Sequence, residues 1–288
     1  MITNTTQDIL NKTLLELENI TGGDILFYCG PITSKIKNLL KFIIENNKKD
    51  KNNDKITIIL TTTGGQAEGA EDIVNILRYN YKTVDFIIPE YAMSAGTILA
   101  MSGDDIYMDY SSSLGPIDPQ IPGNDGSFLP ASGYLDRINE LIGKERNGDY
   151  LTQSELNIVV SADIGRLKFI EQAKNLTVTL LKEWLVKYKF KDWNKHEGKF
   201  NPEKKGQKVT KLEKEKRAEE IANMLGDVNK WHTHGRTIDI FKLQNDLKLK
   251  INDINNNKSL KLTLKEYYDI INMYKGDNSI FIHTRNFI

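Results

Sequence analysis

Apolar residues recur along this chain in two alternating rhythms. Short, nearly unbroken apolar runs cover Ile25 to Cys29, Ile56 to Leu60, Val84 to Ile88 and Ile106 to Met108. Runs of that length and density predict strands buried on both faces. Between them the spacing becomes three-to-four. Leu10, Leu14, Leu15 and Leu17 form one such face, Ile36, Leu39, Leu40, Ile43 and Ile44 a second, and Ala70, Ile73, Val74, Ile76 and Leu77 a third. These are helix faces. A short helix of small residues is expected from Ala95 to Met101, and a solvated loop over 46–54. Gly22-Gly23, Gly30-Pro31 and Pro89 punctuate the segments. Alternating strands and helices predict a parallel sheet built of βαβ units with right-handed crossovers.

Beyond Gly123 the spacing is helical, over 133–143, 152–190 and 211–226, and no further strand is expected. In the longest segment Leu167, Ile170, Ala173, Thr177, Leu180, Leu181 and Trp184 form one stripe, and Thr152 with Glu155 makes a capping box. The chain therefore divides into an α/β core over 1–125 and a mainly helical extension over 126–288. The extension is expected to complete the site and supply oligomer contacts. A linker is expected within 116–130 and an exposed loop over 195–211. Charge follows the same division. Residues 54–142 carry 4 basic and 13 acidic side chains, residues 182–217 carry 13 basic and 6 acidic ones, and the 39 cationic and 39 acidic residues of the whole chain cancel. That balance argues against a general polyanion binder, so no nucleic-acid partner is expected. Cys29 is the single cysteine, which excludes an internal disulfide and a thiolate cluster, and it is expected to pack inertly at the end of a strand. No apolar run approaches the roughly 20 residues of a membrane span, and the first residues lack the pattern of a signal peptide. A cytoplasmic location is expected.

Ligands of parallel α/β sheets lie at the carboxyl ends of the strands. Two turns sit there. Thr63-Gly64-Gly65-Gln66 follows the second strand, and its glycines let backbone N–H groups approach a ligand. Tyr91-Ala92-Met93-Ser94-Ala95-Gly96 follows the third strand and puts a serine at the start of a helix, where free N–H groups and the helix dipole favour an anion. Ser94 lies 29 residues after Gly65, about one βα unit, so the turns should face each other across one crevice. This suits acyl transfer. Ser94 is the candidate nucleophile, and the N–H groups of Gly65 and Ala95 are the candidate oxyanion hole, worth about 3–4 kcal/mol per donor. Gly64 supports the turn. Read separately, the glycine pair is an ordinary turn and the serine an ordinary helix cap.

Together, Thr63-Gly64-Gly65 with Ala67-Glu68-Gly69-Ala70-Glu71, Tyr91-Ala92-Met93-Ser94-Ala95-Gly96-Thr97, and Leu114-Gly115-Pro116-Ile117-Asp118-Pro119-Gln120 resemble the serine dehydrogenase proteinase family. These are relatives of signal-peptide peptidase A in the Clp protease/crotonase superfamily. Leu129 to Ser132, the 171–193 segment and Trp231-His232-Thr233-His234-Gly235-Arg236 extend the resemblance, which covers roughly residues 22–250. It implies a Clp/crotonase-like fold, serine endopeptidase activity on a peptide or protein substrate without a cofactor, and assembly into a homo-oligomer.

A serine hydroxyl needs a proton acceptor. The four histidines, His196, His232, His234 and His283, all lie outside the core, so a Ser-His-Asp triad from 1–125 alone is excluded. Clp proteases carry a histidine shortly after the nucleophile helix, where this chain reads Gly115-Pro116-Ile117-Asp118. Resemblance to the signal-peptide peptidase branch implies a Ser-Lys dyad. Lys144, 50 residues after Ser94, is its first candidate, with Lys168 and Lys174 behind it. Such a lysine must have its pKa lowered from about 10.4. Asp118 and Asp163 are acids that would orient a base, or more simply fix a turn and cap a helix. The Trp231 to Arg236 cluster reads as packing or a subunit contact rather than a metal site, and it remains a second source of a base. Two other functions stay open, a silent scaffold and a crotonase-type acyl-CoA enzyme, though the acidic 54–142 region does not suit CoA.

Overall fold

The structure is a computed structural model that describes residues 2–48, 53–123, 128–276 and 280–288. Helix α1 (Ile2–Thr21) leads into β1 (Asp24–Cys29), α2 (Lys37–Lys48), β2 (Lys55–Thr61), α3 (Ala67–Asn80), β3 (Thr83–Ile88), β4 (Tyr91–Ala92), α4 (Ala95–Met101), β5 (Ile106–Met108) and β6 (Ser113–Leu114). Then come β7 (Gln120–Pro122), β8 (Phe128–Pro130), α5 (Ala131–Arg146), α6 (Gln153–Val160), α7 (Ile164–Trp184), α8 (Lys211–Leu225), α9 (Val228–Trp231), β9 (Ile238–Asp239), α10 (Ile240–Asn245), β10 (Asn252–Asp253), α11 (Lys258–Lys275) and β11 (Phe281–His283).

The main sheet has the order β10-β5-β3-β2-β1-β11, parallel throughout except for the antiparallel edge strand β11. Its strands are apolar on both faces because both faces are covered. Leu26, Tyr28, Ile58, Leu60 and Phe86 point into the larger core, beneath α2, α3, α4, α7 and α8. Ile25, Phe27, Ile59 and Ile87 point the other way, onto α1 and α11. The four strands expected from the sequence are present, and so is the parallel α/β architecture. A second, three-stranded sheet of order β4-β6-β9 stands at the carboxyl ends of the first, joined to it by a bridge between Thr62 and Ala92.

Strands do not stop at Gly123. β10 and β11 close both edges of the main sheet, β9 completes the small one, and β8 pairs with β7 in a hairpin within the expected linker. Each is only two or three residues long, too short to carry a period. Of the two loop expectations, residues 49–52 and 124–127 lie outside the described residues, while 46–48 belong to α2. The expected helix over 152–190 is interrupted. α6 ends at Val160, and Asp163 caps α7 by accepting the Arg166 N–H at 3.0 Å. α7 then runs into a π-helical turn, Leu185–Lys189. The capping box forms as its spacing predicts, with Thr152 and Glu155 bonding reciprocally.

Candidate active site

The two turns read from the sequence meet. Thr62 N–H donates to the Tyr91 carbonyl at 3.1 Å, and Met93 N–H donates to the Thr62 carbonyl at 2.9 Å. Gly64 follows, with φ 105°, and its Cα packs directly under Ser94. A Cβ there would lie 2.7 Å from the Met93 oxygen and 2.8 Å from the Ser94 Cβ. Gly96, in the first turn of α4, lies so close to Thr62 that a Cβ would reach its methyl at 2.4 Å. Gly64 lets backbone approach backbone, and Gly96 makes room for the Thr62 side chain.

Ser94 is the N-cap of α4, at φ 52° and ψ −116°. A side chain in that conformation costs on the order of 1–3 kcal/mol, and such outliers gather at functional sites. Its hydroxyl caps nothing and has no hydrogen-bond partner among the described residues. The ordinary reading of a helix-opening serine therefore fails here. The turn is held by its neighbours instead: Gly96 N–H bonds to the Met93 carbonyl at 2.8 Å and Thr97 N–H to the Ser94 carbonyl at 2.9 Å. The whole of α4 is buried, so the serine stands on a rigid base.

Ile32 bridges to Gly65 in parallel fashion, with Ile32 N–H on the Gly64 carbonyl at 2.8 Å and Gln66 N–H on the Ile32 carbonyl at 2.9 Å. A parallel bridge of this kind leaves the N–H and carbonyl of Gly65 itself on the opposite side. Gly65 N–H and Ala95 N–H find no acceptor among the described residues. Two unengaged donors thus belong to the turns that pack together at Ser94.

The small sheet brings a third component. β6 runs parallel to β4, so Met93-Ser94 and Gly115-Pro116 leave their strands side by side. Thr97 Oγ1 fastens them, lying 2.9 Å from the carbonyls of Ala92 and Gly115 and accepting the Gly115 N–H at 2.9 Å. Three residues on, Asp118 is buried. One of its oxygens accepts from Gln120 Nε2 at 2.7 Å, and the other lies 2.8 Å from His234 Nδ1. An ionised carboxylate only accepts, so Nδ1 carries the hydrogen, and in the neutral ring this tautomer leaves Nε2 as the acceptor. That Nε2 has no partner among the described residues. The loop bearing His234 is anchored on one side by buried Trp231, whose indole N–H donates to the Met224 carbonyl at 2.6 Å, and on the other by β9 on β6.

Lys144 lies in the last turn of α5, where its ammonium donates to Glu155 at 2.8 Å. Lys168 pairs with Glu171 at 2.7 Å. Lys174 has no ion-pair partner among the described residues and lines a cavity of about 350 Å³ beside Ile117 and Pro119. The sequence marks His234 and Asp118 separately but carries no sign of their pairing. They are 116 positions apart, and the link between them is the two-residue strand β9.

Comparison with known proteins agrees with this architecture. A sequence model of the ClpP-like SDH-type serine proteinases matches residues 35–204. Two uncharacterized proteins of Methanocaldococcus jannaschii are similar, one 33% identical over 140 residues and the other 34% over 128. The matches cover 49% and 44% of this chain and 44% and 39% of those proteins, so the chain spans less than half the length of these relatives. Among solved structures, a mutant of the 1510-N membrane-bound stomatin-specific protease aligns with a TM-score of 0.46 and 15% identity, over 81% of this chain and 82% of that one. The family match takes in the glycine turn, Ser94 and Asp118 and covers more than half of the chain, which belongs to the ClpP-like SDH-type serine proteinase family.

Proposed function

We propose that this protein is a serine endopeptidase that works through an acyl-enzyme on Ser94. The observation that carries this reading is the Ser94 turn: a strained, uncapped serine packed on Gly64, with the unengaged N–H groups of Gly65 and Ala95 in the same pair of turns. The peptide lies extended beside Gly65, whose free N–H and carbonyl add it as a strand. Ser94 Oγ bonds to the scissile carbonyl carbon while its proton passes to a base, and the two N–H groups receive the oxyanion. The base then protonates the leaving amine as the C–N bond breaks. Water attacks the ester by the same route in reverse and frees the enzyme.

The base we favour is His234, with Asp118 as the residue that fixes its tautomer and stabilises the imidazolium. Its support is the 2.8 Å bond between a buried carboxylate and Nδ1, which leaves Nε2 to accept. Lys144 is the competing base, and Lys174 a second. Lys144 would have to leave Glu155 to serve.

Hydrolysis of a quenched fluorescent casein tests both parts. Ser94→Ala should abolish turnover, and a fully active Ser94→Ala would end the peptidase reading in favour of a scaffold or an acyl-CoA enzyme. His234→Ala should lose at least about a hundredfold in kcat, as removal of a general base does, and Lys144→Met should keep wild-type turnover. The reverse pattern would move the base to Lys144. The working unit we propose is a homo-oligomer. α6 buries none of its residues and exposes Leu156, Ile158 and Val160. Light scattering should give a mass above 33 kDa, and a clean monomer would contradict assembly.

No described helix is long and apolar enough to cross a membrane.

A further inference from the structure

The end of the main sheet remote from Ser94 opens into a second cleft, of about 810 Å³. Lys55 and Asp85 line it from the amino-terminal ends of β2 and β3, with Asp105 just before β5. One wall is the π-helical turn Leu185–Lys189 and the segment after it. π-turns are rare and favour functional positions. This one delivers Lys189 inward. Its side chain is 3% exposed, and its ammonium donates to the Asp104 carbonyl at 3.1 Å with Asp105 3.8 Å away.

The charge of the cleft does not balance. Eight cationic and six acidic side chains line it. Asp85 is matched by Lys55 at 2.9 Å, Asp104 by Lys191 at 2.6 Å and Glu220 by Arg217 at 2.9 Å. Asp105 is shared by Lys189 and Lys250; among the described residues Lys195, Lys199 and Lys248 have no ion-pair partner, nor do Asp192 and Glu197, which leaves the lining with an excess of two cations. Two of these lysines approach the same aromatic ring. The ammonium groups of Lys199 and Lys248 each lie 5.2 Å from the centre of the Phe200 ring. Lys248 holds its place at φ 49°, a costly conformation for lysine. Beside them stands an aromatic wall, with the Trp193 ring 5.5 Å from both Phe190 and His196. Burial holds Lys189 down at about 8 from an ordinary lysine value, as is common where a ligand completes a site.

We propose that this cleft binds a nucleoside polyphosphate. The volume is in the range of small-molecule sites. The unpaired lysines around Phe200 supply the phosphate contacts, and Trp193 with its neighbours supplies an apolar wall for the base. The site is separate from Ser94 and does not depend on the peptidase reading.

Titration calorimetry and Trp193 fluorescence with ATP, inorganic pyrophosphate, adenosine and a single-stranded oligonucleotide test the proposal. ATP should bind and quench Trp193, pyrophosphate should bind more weakly, adenosine more weakly still, and salt should weaken ATP. Lys199→Ala and Lys248→Gly should each weaken ATP by about tenfold or more. Both sites are exposed and leave the core intact, which circular dichroism checks; Lys189→Met adds the buried position. Absence of ATP binding would overturn the proposal, and so would affinity untouched by the two surface variants. Pyrophosphate binding as tightly as ATP would leave no role for the aromatic wall and overturn the nucleoside assignment. Tight oligonucleotide binding without ATP binding would replace it with a nucleic-acid surface.

Discussion

At Ser94 a side chain occupies backbone space that suits glycine, at φ 52° and ψ −116°. If that strain is retained for chemistry, removing it should stabilise the protein while ending activity. Ser94→Gly should gain about 1 kcal/mol over wild type in urea denaturation, whereas Ser94→Ala should stay near zero, because alanine keeps the Cβ. Equal stability of the glycine and alanine variants would show a turn under no strain. Lys144 has its own signature. Its bond holds the Glu155 carboxyl down to about 2, helped by Thr152. A depressed carboxyl contributes stability that is present above its unfolded pKa and is lost as pH falls through the folded one. Wild type should therefore lose part of its thermal stability between about pH 4.5 and 2 through this group. Lys144→Met should flatten that part of the Tm curve without altering turnover at neutral pH. A lysine acting as the base would instead lose turnover.

The elements that position the site differ in how plainly the sequence announces them. Strands β1, β2, β3 and β5 were legible because burial on both faces makes them apolar runs, and α4 because Ala95 to Met101 is a run of small and apolar residues entered from a serine. The glycine turn and Ser94 could be placed in one crevice from their spacing alone. His234 on Asp118 could not, since it depends on Leu114 pairing with Ile238 in a ladder two residues long. The edges β10 and β11 were silent for the same reason. Packing at the crossing of elements is as strict as the chemistry. Gly64→Ala should cost about 2 kcal/mol or more, because a Cβ would meet the Met93 oxygen at 2.7 Å on a backbone already at φ 105°. Serine labelling should fall with it. A Gly64→Ala protein of unchanged stability and reactivity would contradict the close approach of the two turns.

Across the whole molecule, the two chain ends form one layer. α1 and α11 share the smaller core, and β11 lies on β1. His283 of β11 is fully buried, with Nδ1 2.7 Å from the Tyr267 hydroxyl and Nε2 3.3 Å from Asn11. Burial pushes its imidazole down to about 4. Its contribution to stability is thus complete above about 6.5 and is lost as pH falls through about 4. His283→Gln, which can still bond to Tyr267 but cannot titrate, should remove that part of the acid decline, and an unchanged decline would place it elsewhere. The proposed site likewise draws on the whole chain. Gly65 and Ser94 come from the first half, Asp118 from the joint after β6, and His234 from the last quarter. The most direct test is the rate at which a fluorophosphonate labels the protein, read by mass spectrometry of the peptide containing Ser94. Labelling should be confined to Ser94, survive in Lys144→Met and drop sharply in His234→Ala. An unlabelled Ser94, or equal labelling with and without His234, would contradict the account.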